Sequence, residues 1–380
     1  MKPRLVCAVF SSALAAVLAG ALGGVQAAAA AAGLHVVASP FITNSCLSGA
    51  AVIGSSDMWA VGDSGTGLGC NPFQIVGQGG GPFQTLAEHF DGTSWSAVPT
   101  PALNAAFSGV AGSAGNDVWA VGDQAQGSSN NTLIEHWDGT RWAVVASPKL
   151  PMGSALTGVT APAADNAWAV GFAGGSSNAL VEHWDGTSWS IVSSPAFTAV
   201  SISNGAISAD SATDLWAMGF LATSPTTVET VSLHWDGTSW TQIPAAHLRF
   251  GGVGPVAALS PANVWAVGTG PGVPTGGFSA HPTSVIEHFN GTSWTVVPSP
   301  NPNPQGNNGL VAVAAVSASD VWAVGHQLLG PFTEHWNGKS WDIVNTPAGV
   351  SFFGAMAASS VGTVLAVGQG TNSSGIILSN

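Results

Sequence analysis

One stretch recurs along the chain and limits what it can fold into. Asp117-Val118-Trp119-Ala120-Val121-Gly122 is followed by Glu135-His136-Trp137-Asp138-Gly139-Thr140-Arg141-Trp142 and then Ser147-Pro148. The first half returns at Asp57, Asn166, Asp214, Asn263 and Asp320. The second returns at Glu88, Glu182, His234, Glu287 and Glu334. The leading Trp falls at 119, 168, 216 and 265, intervals of 49, 48 and 49 residues. A fixed period of that length belongs to stacked or radially arranged supersecondary units.

Each unit reads as four short strands. In the second unit these are a small apolar strand around Phe107–Ala111, a second from Val118 to Val121, a third from Leu133 to Trp137 and a fourth from Trp142 to Ala146. Asp-Gly or Asn-Gly between the last two marks a tight hairpin, because Gly accepts positive φ without steric cost. The second and fourth strands are apolar at successive positions, which predicts that both faces of every sheet are covered. Four-stranded antiparallel blades around an axis satisfy this. The ends complete each other. Leu34-His35-Val36-Val37-Ala38-Ser39-Pro40 matches a fourth strand, while Val364–Gly368 and Ile376–Leu378 match the second and third. The sequence therefore predicts an all-β, seven-bladed β-propeller over residues 33–380, its last blade closed by an N-terminal strand, with no unpaired edge between the ends.

The period near fifty residues resembles kelch repeats, and the Asp-Gly-Thr-x-Trp turn resembles the Asp-box of sialidase-like propellers. The resemblance covers Leu34 to Asn380 and implies a bacterial propeller-repeat protein. The chain departs from both patterns: it lacks the kelch double Gly and the Ser-x-Asp-x-Gly-x-Thr-Trp spacing.

Upstream, Met1-Lys2-Pro3-Arg4, an apolar run from Leu5 to Leu22 and the Ala-rich 27–32 read as a secretory signal peptide over residues 1–32. No later apolar run is long enough to insert in a membrane, so a secreted or envelope-associated, monomeric protein is expected. Cleavage would remove Lys2 and Arg4, two of only six basic residues, from a chain with nineteen acidic ones and net charge -13. That balance argues against nucleic acid and anionic lipid as partners. In an exported chain, Cys46 and Cys70 are expected to form one disulfide.

The repeated His (89, 136, 183, 234, 288 and 335) hold one place in six units, which marks a structural hydrogen-bond donor, like the polar network of WD-type blades, and not a catalytic group. All sixteen Trp likewise sit at repeat positions, as expected of wedges between blades. The absence of Tyr excludes galactose-oxidase chemistry, and the lack of an Arg cluster besides excludes sialidase chemistry. No cofactor or metal is expected.

What varies is more informative. The loops after the second strand differ widely, and function tends to sit on such loops above a rigid scaffold; neutral drift is the competing explanation. Directly after the second-strand Gly one residue changes from blade to blade: Asp63, Asp123, Phe172, Phe220, Thr269, His326 and Gln369. These are expected to open the loops and ring the mouth of that face. His326, Gln369, Asp63 and Asp123 would form a polar arc, and Phe172 and Phe220 an apolar one, suited to an amphipathic ligand such as a sugar chain. The function expected is a binding scaffold for a glycan, a cell-surface polymer or an extracellular protein. The alternatives are a carbohydrate-active hydrolase or lyase using acids on the same face, or a structural matrix protein.

Overall fold

A computed structural model describes residues 33–380 apart from 66–82, 102–103, 127–128, 149, 151–152, 175–177, 199, 203–206, 225–226, 247–251, 275–279 and 304–306. The expected signal peptide and Cys70 lie outside the described residues.

Seven antiparallel sheets follow one another, and six arise from consecutive strands. In the second blade the strands, here called A to D from inside outward, are Ala105–Ala114, Asp117–Gln126, Ser129–Trp137 and Trp142–Val144. The seventh blade takes A, B and C from Val350–Ala358, Val364–Gly370 and Gly375–Ser379, and D from His35–Val36. His35 pairs with Ser379 and Val36 with Leu378, and the Val37 N–H donates to Ile377 O at 3.0 Å. The closure read from the two ends of the sequence is thus present.

The repeated Gly of strand B has a steric cause. Strand A carries a bulge opposite it, as between Phe107 and Gly109, which pushes a carbonyl toward strand B. A Cβ on Gly122 would lie 1.9 Å from Ala106 O, so only Gly fits. The Asp-Gly turn is likewise local chemistry. Gly139 has φ +91°, and Asp138 Oδ1 accepts from the N–H groups of Thr140 and Arg141 at 2.8 and 3.0 Å.

Blades are joined by Trp wedges. Trp119 is covered on one side by its own His136, ring centroids 4.2 Å apart. On the other it meets Trp184 at 4.9 Å and, edge-on, Trp189 at 5.2 Å, both in the third blade. The pattern repeats from Trp59, Trp168, Trp216 and Trp265 into the blade that follows each. At the closing seam Trp322 shares a core cluster with Leu34, which stands where other blades have the strand D Trp.

Strand D departs from expectation. In the first six blades only its first residue is buried; Val144 is 57% exposed and Val296 50%, with Ile191 and Ile343 similarly open. As the outermost strand it has one covered face, so its apolar run does not report two-sided burial.

The Glu of the Glu-His pair lies in the seams. Glu88, Glu135, Glu182, Glu287 and Glu334 are all buried. Ser147 Oγ, three residues beyond strand D of the second blade, donates to both carboxylate oxygens of Glu182 in the third at 3.1 and 3.0 Å. Ser299 does the same to Glu334, and the Ala246 N–H donates to Glu287. Burial pushes Glu88, Glu182, Glu287 and Glu334 up to about 7. In the fourth and seventh blades Leu233 and Leu378 hold this register. Before the fourth blade the Ser that would face Glu, Ser194, caps a short 3₁₀ turn, Pro195–Phe197, whose Phe197 packs 5.7 Å from Trp240. Strand A of that blade is split into Val200–Ser201 and Ile207–Ser211.

Candidate functional site

The ends of strand B and the links from strand D to the next strand A share one face of the ring. All seven varying residues occupy one register there: Asp63 opposite Thr85, Asp123 opposite Thr132, Phe172 opposite Ala179, Phe220 opposite Thr230, Thr269 opposite Ser284, His326 opposite Pro331 and Gln369 opposite Gly375. They were expected to open the loops and do not. Strand B runs past them, to Gly65 in the first blade and Gln126 in the second, so these side chains are held by sheet pairing on both sides. Cys46 lies inside strand A of the first blade (Ser45–Gly54), opposite Asp63.

Four of the seven reach across a seam. The Phe220 ring lies against Gly252, where a Cβ would come within 2.1 Å of it. The Thr269 hydroxyl approaches Gly309 in the same way. His326 stacks on Phe352, centroids 4.1 Å apart and planes 11° apart, and its Nε2 lies 3.3 Å from both the carbonyl and the N–H of Phe353. Burial holds its pKa below the usual imidazole value, against the pull of the Phe353 carbonyl. Gln369 Nε2 donates to Ser45 O at 3.1 Å. The only sequence signal for these contacts was a Gly starting strand A in the fifth and sixth blades.

The two acids differ. Asp123 is buried and accepts from Asn130 Nδ2 at 2.6 Å. Asp63 is half-buried, and desolvation raises its carboxyl to about 6. Beside the closing seam, on the same face, lies a cleft of about 400 Å³ under Val36–Phe41, floored by Gly349, Asn372, Ser374 and Ile376. No charged side chain lines it, and Phe41 at its rim is 66% exposed. Sequence reading missed it, because the arch of 38–42 arises only when residues 37 and 43 are both tied to the last strand and the turn before it.

The repeated His belong to the other end of the ring. His136 Nε2 is 2.7 Å from Asp117 Oδ1, His89 2.9 Å from Asp57, His288 2.8 Å from Asn263 and His335 2.9 Å from Asp320, each tying strand C to the start of its own strand B. Asp210 sits at that end too; burial and its contact with Asp214 raise its carboxyl to about 6. Among the described residues no group of three His, Cys, Asp or Glu is placed to hold a metal ion.

No protein-family model matches the chain, and no curated protein does. Solved structures match it as a fold. YCF48 bound to D1 peptide superposes with TM-score 0.55 at 14% identity, over 91% of this chain and 94% of its own. YCF48 from Cyanidioschyzon merolae gives 0.53 at 17%, over 90% and 98%. The GH74 xyloglucanase from Xanthomonas campestris gives 0.55 at 14%, over 88% of this chain and 52% of its own. At these identities the likeness is one of β-propeller architecture.

Proposed function

We propose that the chain is an exported binding scaffold that engages a glycan, cell-surface polymer or protein segment through the face carrying the seven varying residues and the cleft. One observation supports this most: the cleft offers backbone groups, Asn372, Ser39 and apolar walls, and no charged side chain. Such a lining suits an uncharged, extended ligand and supplies neither a nucleophile nor an acid–base pair. The propeller of similar length that is bound to a peptide and the xyloglucanase both use this architecture, so protein and glycan ligands are both included in the test.

Residues 33–380 are to be screened against a glycan array, xyloglucan and other polysaccharides, and peptide libraries. Asp63→Ala with Asp123→Ala, and Phe172→Ala with Phe220→Ala, are each expected to weaken whatever binding is found. If both folded double variants bind like the parent, the seven residues serve only the seams. Turnover of a polysaccharide would move the assignment to a carbohydrate-active enzyme. N-terminal sequencing of material from the culture medium tests export.

A further inference from the structure

The Asp-Gly turn between strands C and D has two departures. The first four blades carry Asp91, Asp138, Asp185 and Asp236, whereas the fifth and sixth carry Asn290-Gly291 and Asn337-Gly338. The fold of the turn is unchanged. Asn290 Oδ1 accepts from the N–H groups of Thr292 and Ser293, both at 3.0 Å, and Asn337 Oδ1 from Lys339 and Ser340 at 3.0 and 3.1 Å. Both Gly have φ near +90°, and both Asn are exposed.

In both turns Oδ1 bonds to the second and third following N–H groups, and the Gly nitrogen lies between Asn and those donors along the chain. The same two N–H groups would stabilise negative charge on Oδ1 if that nitrogen attacked Cγ. Gly adds no side chain to hinder the approach. The two sites differ in the leaving group. Asn337 Nδ2 donates to Asp342 Oδ2 at 2.8 Å and to Ser340 Oγ at 3.3 Å. A carboxylate accepting from the amide nitrogen strengthens its conjugation with the carbonyl and opposes an anionic intermediate. At the Asp342 position the first five blades have Ser96, Ala143, Ser190, Thr241 and Thr295, all uncharged. Only the blade with an acid there keeps Asn facing it in this way.

We propose that Asn290 is a site of spontaneous deamidation that converts its turn to the Asp-Gly form of the first four blades, and that Asp342 holds Asn337 out of the same reaction. In the first step the Gly291 nitrogen bonds to Asn290 Cγ. The Cγ–Nδ2 bond breaks, and the nitrogen leaves as ammonia with the Gly N–H proton. Water then adds to Cγ, the Cγ–N bond breaks, and a carboxylate remains. No oxidant is involved. The product is a residue that this turn already holds in four blades with the same pair of N–H donors. Hydrolysis at the main-chain carbonyl would instead give an isoaspartyl link, which lengthens the main chain and breaks the turn. At Asn337 even the regular product would set two carboxylates against each other.

The chain has two further Asn-Gly pairs. Asn308 is fully buried, with its amide bonded at both ends to the main chain of Asn303, and is expected to stay intact. Asn204 lies outside the described residues.

The test is peptide mapping of residues 33–380 aged at mildly alkaline pH, following the mass gain and the isoaspartyl fraction at each Asn. In the folded protein Asn290 is expected to convert roughly tenfold faster than Asn337, and mainly to Asp. In urea, where both are plain Asn-Gly, the two rates should converge. Asp342→Ser should raise the Asn337 rate to that of Asn290. Asn337→Asp should lower the melting temperature and Asn290→Asp should not, with Asp342→Asn rescuing the former. Equal rates in the folded protein, or an Asn337 rate unmoved by Asp342→Ser, would overturn the assignment.

Discussion

Ser147 Oγ lies 3.1 and 3.0 Å from the two carboxylate oxygens of Glu182, across the seam between the second and third blades. A single hydroxyl cannot compensate the burial of a full charge, and the carboxyl is pushed up to about 7. The folded state therefore favours the protonated form. Its contribution is fully present below pH 4.5, the ordinary Glu value, and is lost as pH rises to about 7. The loss is on the order of 3 kcal/mol per site. Glu182→Gln is expected to melt higher than the parent at pH 8, with the gap closing by pH 4.5. A gap that does not change with pH would show that Glu182 is not desolvated in solution.

The latch at the ring closure has a separate test. Leu34 is 4% exposed and packs in the cluster that also holds Trp322. Leu34→Ala is expected to cost about 2–4 kcal/mol, and removal of residues 34–40 to lower the melting temperature much further. A deletion that melts like the parent would mean that the strand is dispensable.

His136 both bonds Asp117 and covers the face of Trp119. His136→Ala is expected to cost about 2–3 kcal/mol, because it leaves a buried carboxylate oxygen without a donor. His136→Asn with Asp117→Asn should cost less than the two single changes together, as measured by urea denaturation.

Cys46 and Cys70 are expected to be joined by a disulfide. Closing that loop is worth about 3 kcal/mol in the chain-entropy model. Non-reducing peptide maps of secreted protein should show the 46–70 link, and Cys70→Ser should lower the melting temperature by several degrees. Two free thiols would refute it.

The architecture was legible because its causes are local. The turn needs Asp-Gly or Asn-Gly, the bulge leaves room only for Gly, as at Gly122, and the wedge needs Trp, so each left the same mark in the first six blades. The closure was legible because Leu34–Pro40 keeps the strand D pattern. What escaped depends on neighbours brought together by the ring. The strand D apolar run looks the same whether one face or two are covered. The Glu repeat gave no hint of Ser147, 35 positions away. The seven varying residues were located at the correct end, but their inward side is decided by the next blade's first strand, as with Phe220 against Gly252.

The pairing of His35 with Ser379 also sets an order in time. Each of the first six blades can pair its strands as soon as its own four strands exist, since those pairings are local. The seventh waits, because its outer strand is made before any blade and its partner after all of them. Until then the chain is an open arc with one free edge at each end, and the slowest contact to form is the one that makes the arc a ring. Moving residues 34–40 to follow Asn380 would make that last step a hairpin, and should speed the final stage of folding without altering the finished blade.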